Sequence, residues 1–371
     1  MPRLRRSKKK LTRPAHRRSV DTRLVREWLF AAERGDVPAT KRLLSAEPRL
    51  LDASGQGPYW EGKFRALHYA VARGHHKMIR WLLSRGASAT AVAGDADWAP
   101  IHFAAMPAKP RLVRLLIDHG AQMDVFAAAA MGDVRVVRRM LQGNPNLIAS
   151  RGPDGGTPLH FSGSPKVARV LLAAGADTDV RDRFHRQTPA EWAVDNPKVV
   201  AVLAEAGADV DLHLACALGD LKSVRTFIRR DPKKVNAEVS GKKRLFGANG
   251  ETPLGIAARY GQRKIVDLLL ARGATATRHP SPLPDAVRRG DRAIVKRLLE
   301  AGADPNAFGP HGYAALHAAT MSGNLAMIRL LMSKGARLDL KDEEHHSTPL
   351  GWAAYFHQKR AVAYLRAQSR A

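Results

Sequence analysis

TPLGIAARYGQRKIVDLLLARGA, residues 252–274, is the stretch that decides the fold, because variants of it return along most of the chain. The Thr252 hydroxyl can cap a helix that begins at Pro253, where the missing N–H of proline costs nothing. Gly261 ends this short helix, and a second helix follows and ends at Gly273. The second helix has a broad apolar face formed by Ile265, Val266, Leu268, Leu269 and Leu270. Since neither helix can bury its apolar face alone, the unit requires neighbours of the same kind.

Six further segments follow the same plan of a short helix, a turn, a second helix and a Gly-Ala exit. They are residues 65–88, 99–122, 157–177, 188–209, 281–304 and 314–337. Less regular copies bring the total to about eleven units, which begin near residues 25, 65, 99, 125, 157, 188, 212, 252, 281, 314 and 348. The plan resembles the ankyrin repeat, whose signature is a Thr-Pro-Leu-His start and a Gly-Ala-Asp exit. This resemblance implies an all-α solenoid of helix-turn-helix units with short β-hairpin fingers, here over residues 23–371.

Two units depart from this pattern. Between His160 and Val167, and between Glu191 and Val199, the first helix or its turn is shorter than in residues 252–274. Because one helical turn holds about 3.6 residues, we expect the stack to tilt locally, with a bend near residues 157–211. The run RDRFHRQTPAEWAV, residues 181–194, is similar to a linker and repeat found in bacterial ankyrin proteins.

The chain is strongly basic, with a formal net charge of +27 over 371 residues. Residues 1–20 contain nine Lys or Arg and no acid, so we expect a disordered tail over residues 1–22. The tail has two interpretations: an arm that binds nucleic acid, anionic lipid or an acidic protein, or a solubilising terminus without a dedicated partner. The candidate polyanion-binding residues of the arm are Arg3, Arg5, Arg6, Lys8, Lys9, Lys10, Arg13, Arg17 and Arg18.

The sequence offers no group of residues suited to catalysis. It contains no GxxxxGK[ST], GxSxG or His-Glu-x-x-His motif, and its single cysteine, Cys216, permits neither an internal disulfide nor a CxxC metal site. His68, His102, His160 and His317 stand at the Leu-His helix start, where the resemblance implies a structural bridge between adjacent repeats. We therefore expect no enzyme activity, no metal and no cofactor. The lone cysteine and the lack of a long apolar segment predict a cytoplasmic protein without a transmembrane segment.

In ankyrin proteins the partner lies against the concave side, where finger tips and the last positions of the first helices contact it. The resemblance therefore implies candidate partner-binding residues at Trp60, Phe64, Arg73, Trp98, Met106, Arg183, Phe184, His185, Arg244, Phe246, Arg259, Tyr260, Phe308, His311, Tyr313 and His345. Aromatic and arginine side chains are the types that anchor interfaces. For each of them, packing against the next repeat is the alternative role.

The sequence thus predicts a non-enzymatic scaffold that mediates protein–protein interaction through a concave groove and finger loops. We expect a monomer that binds an acidic or mixed-charge protein, since a preformed groove avoids most of the ordering cost of binding. The alternative is a nucleic-acid or anionic-surface binder that uses the basic N-terminal arm. Its sign would be Lys and Arg concentrated on one face, with an affinity that falls steeply as salt rises.

Overall fold

The computed structural model describes residues 20–55, 63–93, 97–239, 251–277 and 280–369. These residues form the repeating helix pairs of an all-α solenoid, which confirms the predicted fold class. Packing divides the chain into two compact units: an N-terminal unit, Met1–Ala104 with Lys109–Gln122, and a C-terminal unit, Met123–Ala371 with Ala105–Ala108. The first helix begins at Thr22, while most of the predicted basic tail lies outside the described residues.

The first three helix pairs precede residue 123. Their bounds are α1 (Thr22–Arg34) with α2 (Val37–Ala46), α3 (Ala66–Arg73) with α4 (His76–Ser84), and α5 (Pro100–Ala105) with α6 (Pro110–Ile117). Two short strands, β1 (Ser54–Gly55) and β2 (Phe64–Arg65), pair antiparallel directly before α3. They form the base of a finger, as the resemblance implies.

The remaining helices belong to the C-terminal unit, where each first helix is followed by a second one. The first helices are α7 (Val125–Ala130), α10 (Pro189–Trp192), α12 (Leu212–Leu218), α14 (Pro253–Arg259), α16 (Leu283–Arg289), α18 (Ala315–Met321) and α20 (Pro349–Tyr355). The second helices are α8 (Val134–Gly143), α9 (Pro165–Ala173), α11 (Pro197–Glu205), α13 (Leu221–Arg230), α15 (Arg263–Ala271), α17 (Arg292–Glu300), α19 (Leu325–Met332) and α21 (Lys359–Gln368).

The two shortened units differ from the others in their first helix. Residues 157–162 form turns without a helix, so α9 has no first-helix partner of its own unit. The next first helix, α10, has only four residues and continues as a three-residue 3-10 turn. The shortening is therefore present where the sequence indicates it, and the bend over residues 157–211 stays a prediction.

Local sequence sets the helix ends. The Thr252 hydroxyl accepts a hydrogen bond from the Gly255 N–H (3.2 Å), and Pro253 occupies the first position of α14, as predicted. Gly261 has a φ angle of 72°, in the left-handed region that glycine adopts without strain. This conformation turns the chain from α14 into α15.

The first helices form the interior of the stack. Every residue of α14 is buried, and α14 packs against both α12 and α16. The second helix of the same unit buries only Ile265, Val266 and Leu269. The other faces of such second helices are therefore left to polar and charged side chains.

The predicted histidine bridges are confirmed at three positions. The Nε2 atoms of His68, His160 and His317 lie 3.0 to 3.1 Å from the carbonyl oxygens of Trp98, Gln187 and Ser347. Because a carbonyl only accepts, Nε2 carries the proton, and Nδ1 of His160 accepts from the Thr157 N–H (3.0 Å). Burial lowers the pKa of His160 to about 4, so the ring is neutral. These histidines are structural.

Candidate partner-binding surface

One finger of the C-terminal unit is built over a buried aspartate, Asp182, which is 0% exposed. Its Oδ1 accepts a hydrogen bond from the His185 N–H (2.6 Å), and its Oδ2 accepts from the Gln187 N–H (2.7 Å). The Trp192 indole Nε1–H of α10 donates to the same Oδ2 (3.0 Å). Since two amides and an indole converge on one carboxylate, the finger is fixed to the helix that follows it.

This finger presents Arg183, Phe184 and His185 at its tip. The Phe184 side chain is 40% exposed, and the Arg183 guanidinium lies 5.7 Å from its ring centroid. The His185 Nδ1 lies 3.7 Å from Asp182 Oδ1 and 3.9 Å from Asp154 Oδ2. The structure thus places three of the predicted contact residues together on one braced turn.

A second finger repeats this construction. Asp342 accepts hydrogen bonds from the N–H groups of His345 (2.7 Å) and Ser347 (2.9 Å) and from the Trp352 indole (3.0 Å). Burial acts to raise the pKa of Asp342, but these hydrogen bonds outweigh it and lower the pKa below its ordinary value. The exposed His345 ring lies 3.3 Å from the same carboxylate.

Sequence reasoning missed the role of both aspartates. The signal was available as a shared spacing, Asp-x-x-His-x-x-Thr-Pro-x-x-Trp, which runs through residues 182–192 and again through residues 342–352. In both places the aspartate accepts hydrogen bonds from backbone amides of the turn that carries the histidine, and the tryptophan of the following helix donates its indole N–H to the same carboxylate.

A third finger lies between α17 and α18. Phe308 and Ala314 form an antiparallel bridge at its base, and Phe308 is half-buried. The exposed His311 ring stacks on Tyr313, with centroids 5.9 Å apart, and its Nε2 lies 3.8 Å from Asp285 Oδ1 of α16. Burial lowers the pKa of His311 from its ordinary value. All three fingers therefore hold an accessible histidine next to a buried aspartate.

Arg259 lies in a buried ion cluster and not on a free surface, which corrects the prediction of a partner contact. Its Nε donates to Asp285 Oδ2 (2.7 Å), and its Nη2 forms an ion pair with Glu251 Oε1. Both carboxylates are 2% exposed. Burial raises the pKa of Glu251 to about 8, against the lowering effect of Arg259. Since Asp285 also holds the guanidinium, the cluster joins α14 to α16 even when Glu251 is protonated.

Three predicted aromatic contacts are also packing residues: Phe64, Trp98 and Tyr313 are 4%, 9% and 9% exposed. The Phe64 and Trp98 rings lie 5.9 and 4.8 Å from the Phe103 ring, centroid to centroid. The ring of Tyr313 lies 5.0 Å from Trp352, and burial raises its pKa to about 12. Large rings near a finger base fill the space between repeats, so the expectation of a free binding surface is wrong for these three.

The other predicted contacts are distributed along the chain. Arg73 is exposed and pairs with Glu33 (2.8 Å), Met106 is 47% exposed, and Tyr260 is half-buried, with burial raising its pKa. The candidates Trp60, Arg244 and Phe246, and the arm residues from Arg3 to Arg18, lie outside the described residues.

Within the described ranges, no three His, Cys, Asp or Glu side chains are grouped to hold a metal ion. In the same ranges, no helix has the length and apolar character needed to cross a membrane. Cys216 is fully buried, and this burial raises its pKa. The neighbouring His213 places its Nε2 3.0 Å from the Ala237 carbonyl oxygen, so it forms a further contact of the kind described above.

Comparison with known sequences identifies the class. The chain matches the family described as ankyrin repeats in three copies, over residues 28–127, 212–309 and 283–370. These matches cover more than half of the chain, which therefore belongs to the ankyrin repeat family. The unmatched stretch, residues 128–211, contains both units with a shortened first helix. Ankyrin repeats are a protein–protein interaction fold and are themselves non-catalytic.

Several curated proteins are similar to the chain. It is 26% identical to the E3 ubiquitin-protein ligase KEG of Arabidopsis thaliana over 348 residues, which are 87% of this chain and 17% of that protein. It is 32% identical to the human B-cell lymphoma 3 protein over 249 residues, 58% of this chain and 52% of that protein. It is 28% identical to the human transient receptor potential cation channel subfamily A member 1 over 226 residues, 56% of this chain and 17% of the channel. The matches thus span between a sixth and about half of these relatives.

Proposed function

We propose that the chain is a non-enzymatic scaffold whose C-terminal unit binds a protein partner through its finger tips. The observation that carries this proposal is Phe184, a large apolar side chain that is 40% exposed on a turn braced by Asp182. A braced turn loses little conformational entropy on binding, so more of the contact energy contributes to affinity. An aromatic ring with an adjacent guanidinium is the combination that anchors many interfaces.

The charge of the finger tips indicates the character of the partner. Arg183 and His185 are accessible on the Phe184 turn, His311 and His345 are accessible on the other two fingers, and the whole chain carries a net charge of +27. A partner with acidic side chains around an apolar contact would complement this surface. We propose that the chain binds it as a monomer, in the cytoplasm. The alternative, polyanion binding by the arm residues from Arg3 to Arg18, stays a prediction because the arm lies outside the described residues.

Photo-cross-linking tests the proposal. Benzoylphenylalanine replaces Phe184 in one version of the full chain and Tyr355 in another. Tyr355 is 49% exposed on α20, so it is a matched exposed aromatic that lies on a helix. We expect one discrete protein to cross-link to position 184 and not to position 355, and to bind the unmodified chain after purification. Equal labelling from both positions, or none from position 184, would contradict a binding site on this finger.

A further inference from the structure

Charge is divided unequally between the first and second helices of the C-terminal unit. Its eight second helices contain 19 Lys and Arg but only three Asp and Glu. The seven first helices contain only three Lys and Arg and two Asp and Glu. The basic character of this unit therefore resides on the second helices and is independent of the finger turns.

Among the second helices of the C-terminal unit, α13 carries the most Lys and Arg, and the 3-10 turn that follows it adds two lysines. We call this surface the α13 patch, defined as Lys222, Arg225, Arg229, Arg230, Lys233 and Lys234, all of which are exposed. None of the six forms an ion pair with any residue that the structure describes. Two aspartates lie close to the patch. Asp220 precedes α13 and Asp231 precedes the 3-10 turn, and each accepts a hydrogen bond from a backbone amide at the start of the helix that follows it.

The next two second helices along the chain, α15 and α17, are different. Arg263 of α15 pairs with Asp291 (3.0 Å), and Arg297 of α17 pairs with Asp267 of α15 (2.8 Å). These pairs link adjacent repeats and neutralise part of the charge. On α13, Val224 and Ile228 supply the buried face, and no acid lies between residues 221 and 230.

Stability does not account for the α13 patch. Arg229 and Arg230 gain from the dipole at the end of the helix, but Lys222 lies in the first turn, where positive charge is unfavourable. Arg225 and Arg229 are like charges four residues apart, an arrangement that destabilises a helix by about 0.2 to 0.5 kcal/mol. These gains and losses are of similar size, so helix stability gives no reason for the concentration of positive charge on α13.

The geometry of the patch suits a phosphate backbone. At about 3.6 residues per turn and about 1.5 Å per residue, Lys222, Arg225 and Arg229 lie along one side of α13, roughly 4.5 and 6 Å apart along its axis. Lys233 and Lys234 extend the positive charge beyond the helix. The large exposed apolar residues of the described chain are Val92, Met106, Phe184 and Tyr355, so α13 offers no apolar anchor for a protein interface or for insertion into a lipid surface.

We propose that the α13 patch binds the phosphate backbone of a polynucleotide without reading its base sequence. Lys and Arg contact phosphate oxygens in this way, and such binding releases counterions and weakens steeply with salt. This site differs from the N-terminal arm in position, and it is independent of the finger tips.

The test measures the fluorescence anisotropy of labelled 25-nucleotide duplex DNA and single-stranded RNA with the full chain, from 50 to 200 mM salt. The variant Arg225→Gln/Arg229→Gln/Arg230→Gln removes three charges from the patch. The matched control, Arg135→Gln/Arg138→Gln/Arg139→Gln, removes three exposed arginines from α8, none of which forms an ion pair with a described residue. All substituted side chains are exposed, and circular dichroism melting checks that both variants fold.

We expect the α13 variant to bind at least about tenfold more weakly than the unmodified chain at 100 mM salt, and the α8 control to change by less than about threefold. On duplex DNA, the slope of log K against log salt should become shallower by about 0.9 for each phosphate that the variant no longer neutralises. The comparison of DNA with RNA shows which of the two polynucleotides the patch prefers. The proposal is overturned by equal weakening in both variants, by no binding to either polynucleotide, by binding that disappears only when residues 1–19 are removed, or by tighter binding to phosphatidylserine vesicles.

Discussion

The Trp192 indole donates a hydrogen bond to the buried Asp182 carboxylate (3.0 Å), and Trp352 makes the same bond to Asp342 (3.0 Å), 160 positions later in the chain. In both places the aspartate also accepts from the amides of its own finger turn. Two fingers of the C-terminal unit are therefore held by one device, in which a carboxylate ties a turn to the helix after it.

Replacing Asp182 with Ala should destabilise the chain by about 3 kcal/mol, because two amides and an indole lose their common acceptor. Urea unfolding measures this change. Asp179→Ala, at an exposed position in the preceding connection, should alter the free energy of unfolding by less than about 0.5 kcal/mol. A decrease of equal size at both positions would show that the carboxylate does not brace the finger.

Arg186→Gly should stabilise the chain. Arg186 has a φ angle of 58°, which costs a residue with a Cβ atom about 1 to 2 kcal/mol. Glycine removes this strain, but its greater conformational freedom stabilises the unfolded state and offsets part of the effect. We therefore expect the free energy of unfolding to increase by about 0.5 to 1 kcal/mol. Thermal melting compares it with Arg183→Gly on the same turn, where the φ angle is not positive and the unfolding midpoint should not rise. A lower midpoint for Arg186→Gly would mean that its side chain supports the turn.

Leu269→Ala should reduce the free energy of unfolding by about 2 to 5 kcal/mol, because this side chain is 0% exposed in α15. The adjacent Leu270 is half-buried, and Leu270→Ala should cost clearly less. Denaturant unfolding with a two-state test checks both values. An unchanged midpoint for Leu269→Ala would contradict the packing of the second helices.

The Glu251 cluster should make stability fall as pH rises. The pKa of Glu251 is raised from 4.5 to about 8 in the folded chain, so between these values the folded state binds more protons than the unfolded state. The stability that the folded chain gains from binding this proton is fully present below pH 4.5 and is lost as the pH rises through about 8. In Glu251→Gln, Asp285 still holds Arg259, and the amide does not titrate.

Between pH 6 and pH 9 we expect the unmodified chain to lose about 2 kcal/mol relative to Glu251→Gln. Urea titrations at each pH measure the difference. Glu300→Gln, at an exposed carboxylate on α17, should follow the unmodified chain within about 0.5 kcal/mol. Parallel pH profiles for the chain and Glu251→Gln would show that Glu251 is ionised throughout.

The repeating helix pairs could be predicted because their signals are local. Thr252, Pro253 and Gly261 act within a few residues of themselves, and the structure has the predicted cap and turn at these positions. The histidine bridges followed from the family resemblance. The division of charge between first and second helices was also accessible, since it requires only the helix bounds and a count.

The binding residues were harder to predict because burial depends on distant neighbours. Phe64 is enclosed by Phe103, and Arg259 is paired with Asp285 on the next first helix. Aromatic and arginine side chains both anchor interfaces and fill the space between repeats, so residue type alone does not separate the two roles. Phe184 lies on the finger turn and is 40% exposed, while Asp182 two residues earlier is fully buried.

The most direct test of the proposed function uses the partner that cross-links to position 184, after its purification. Calorimetry measures the affinity of this partner for the unmodified full chain and for two variants. Phe184→Ala should weaken binding by at least about tenfold, which is about 1.4 kcal/mol, because the apolar anchor is removed. Tyr355→Ala, which truncates an equally exposed aromatic, should change the affinity by less than about twofold. An unchanged affinity for Phe184→Ala, or an equal weakening for Tyr355→Ala, would contradict partner binding by the finger tips.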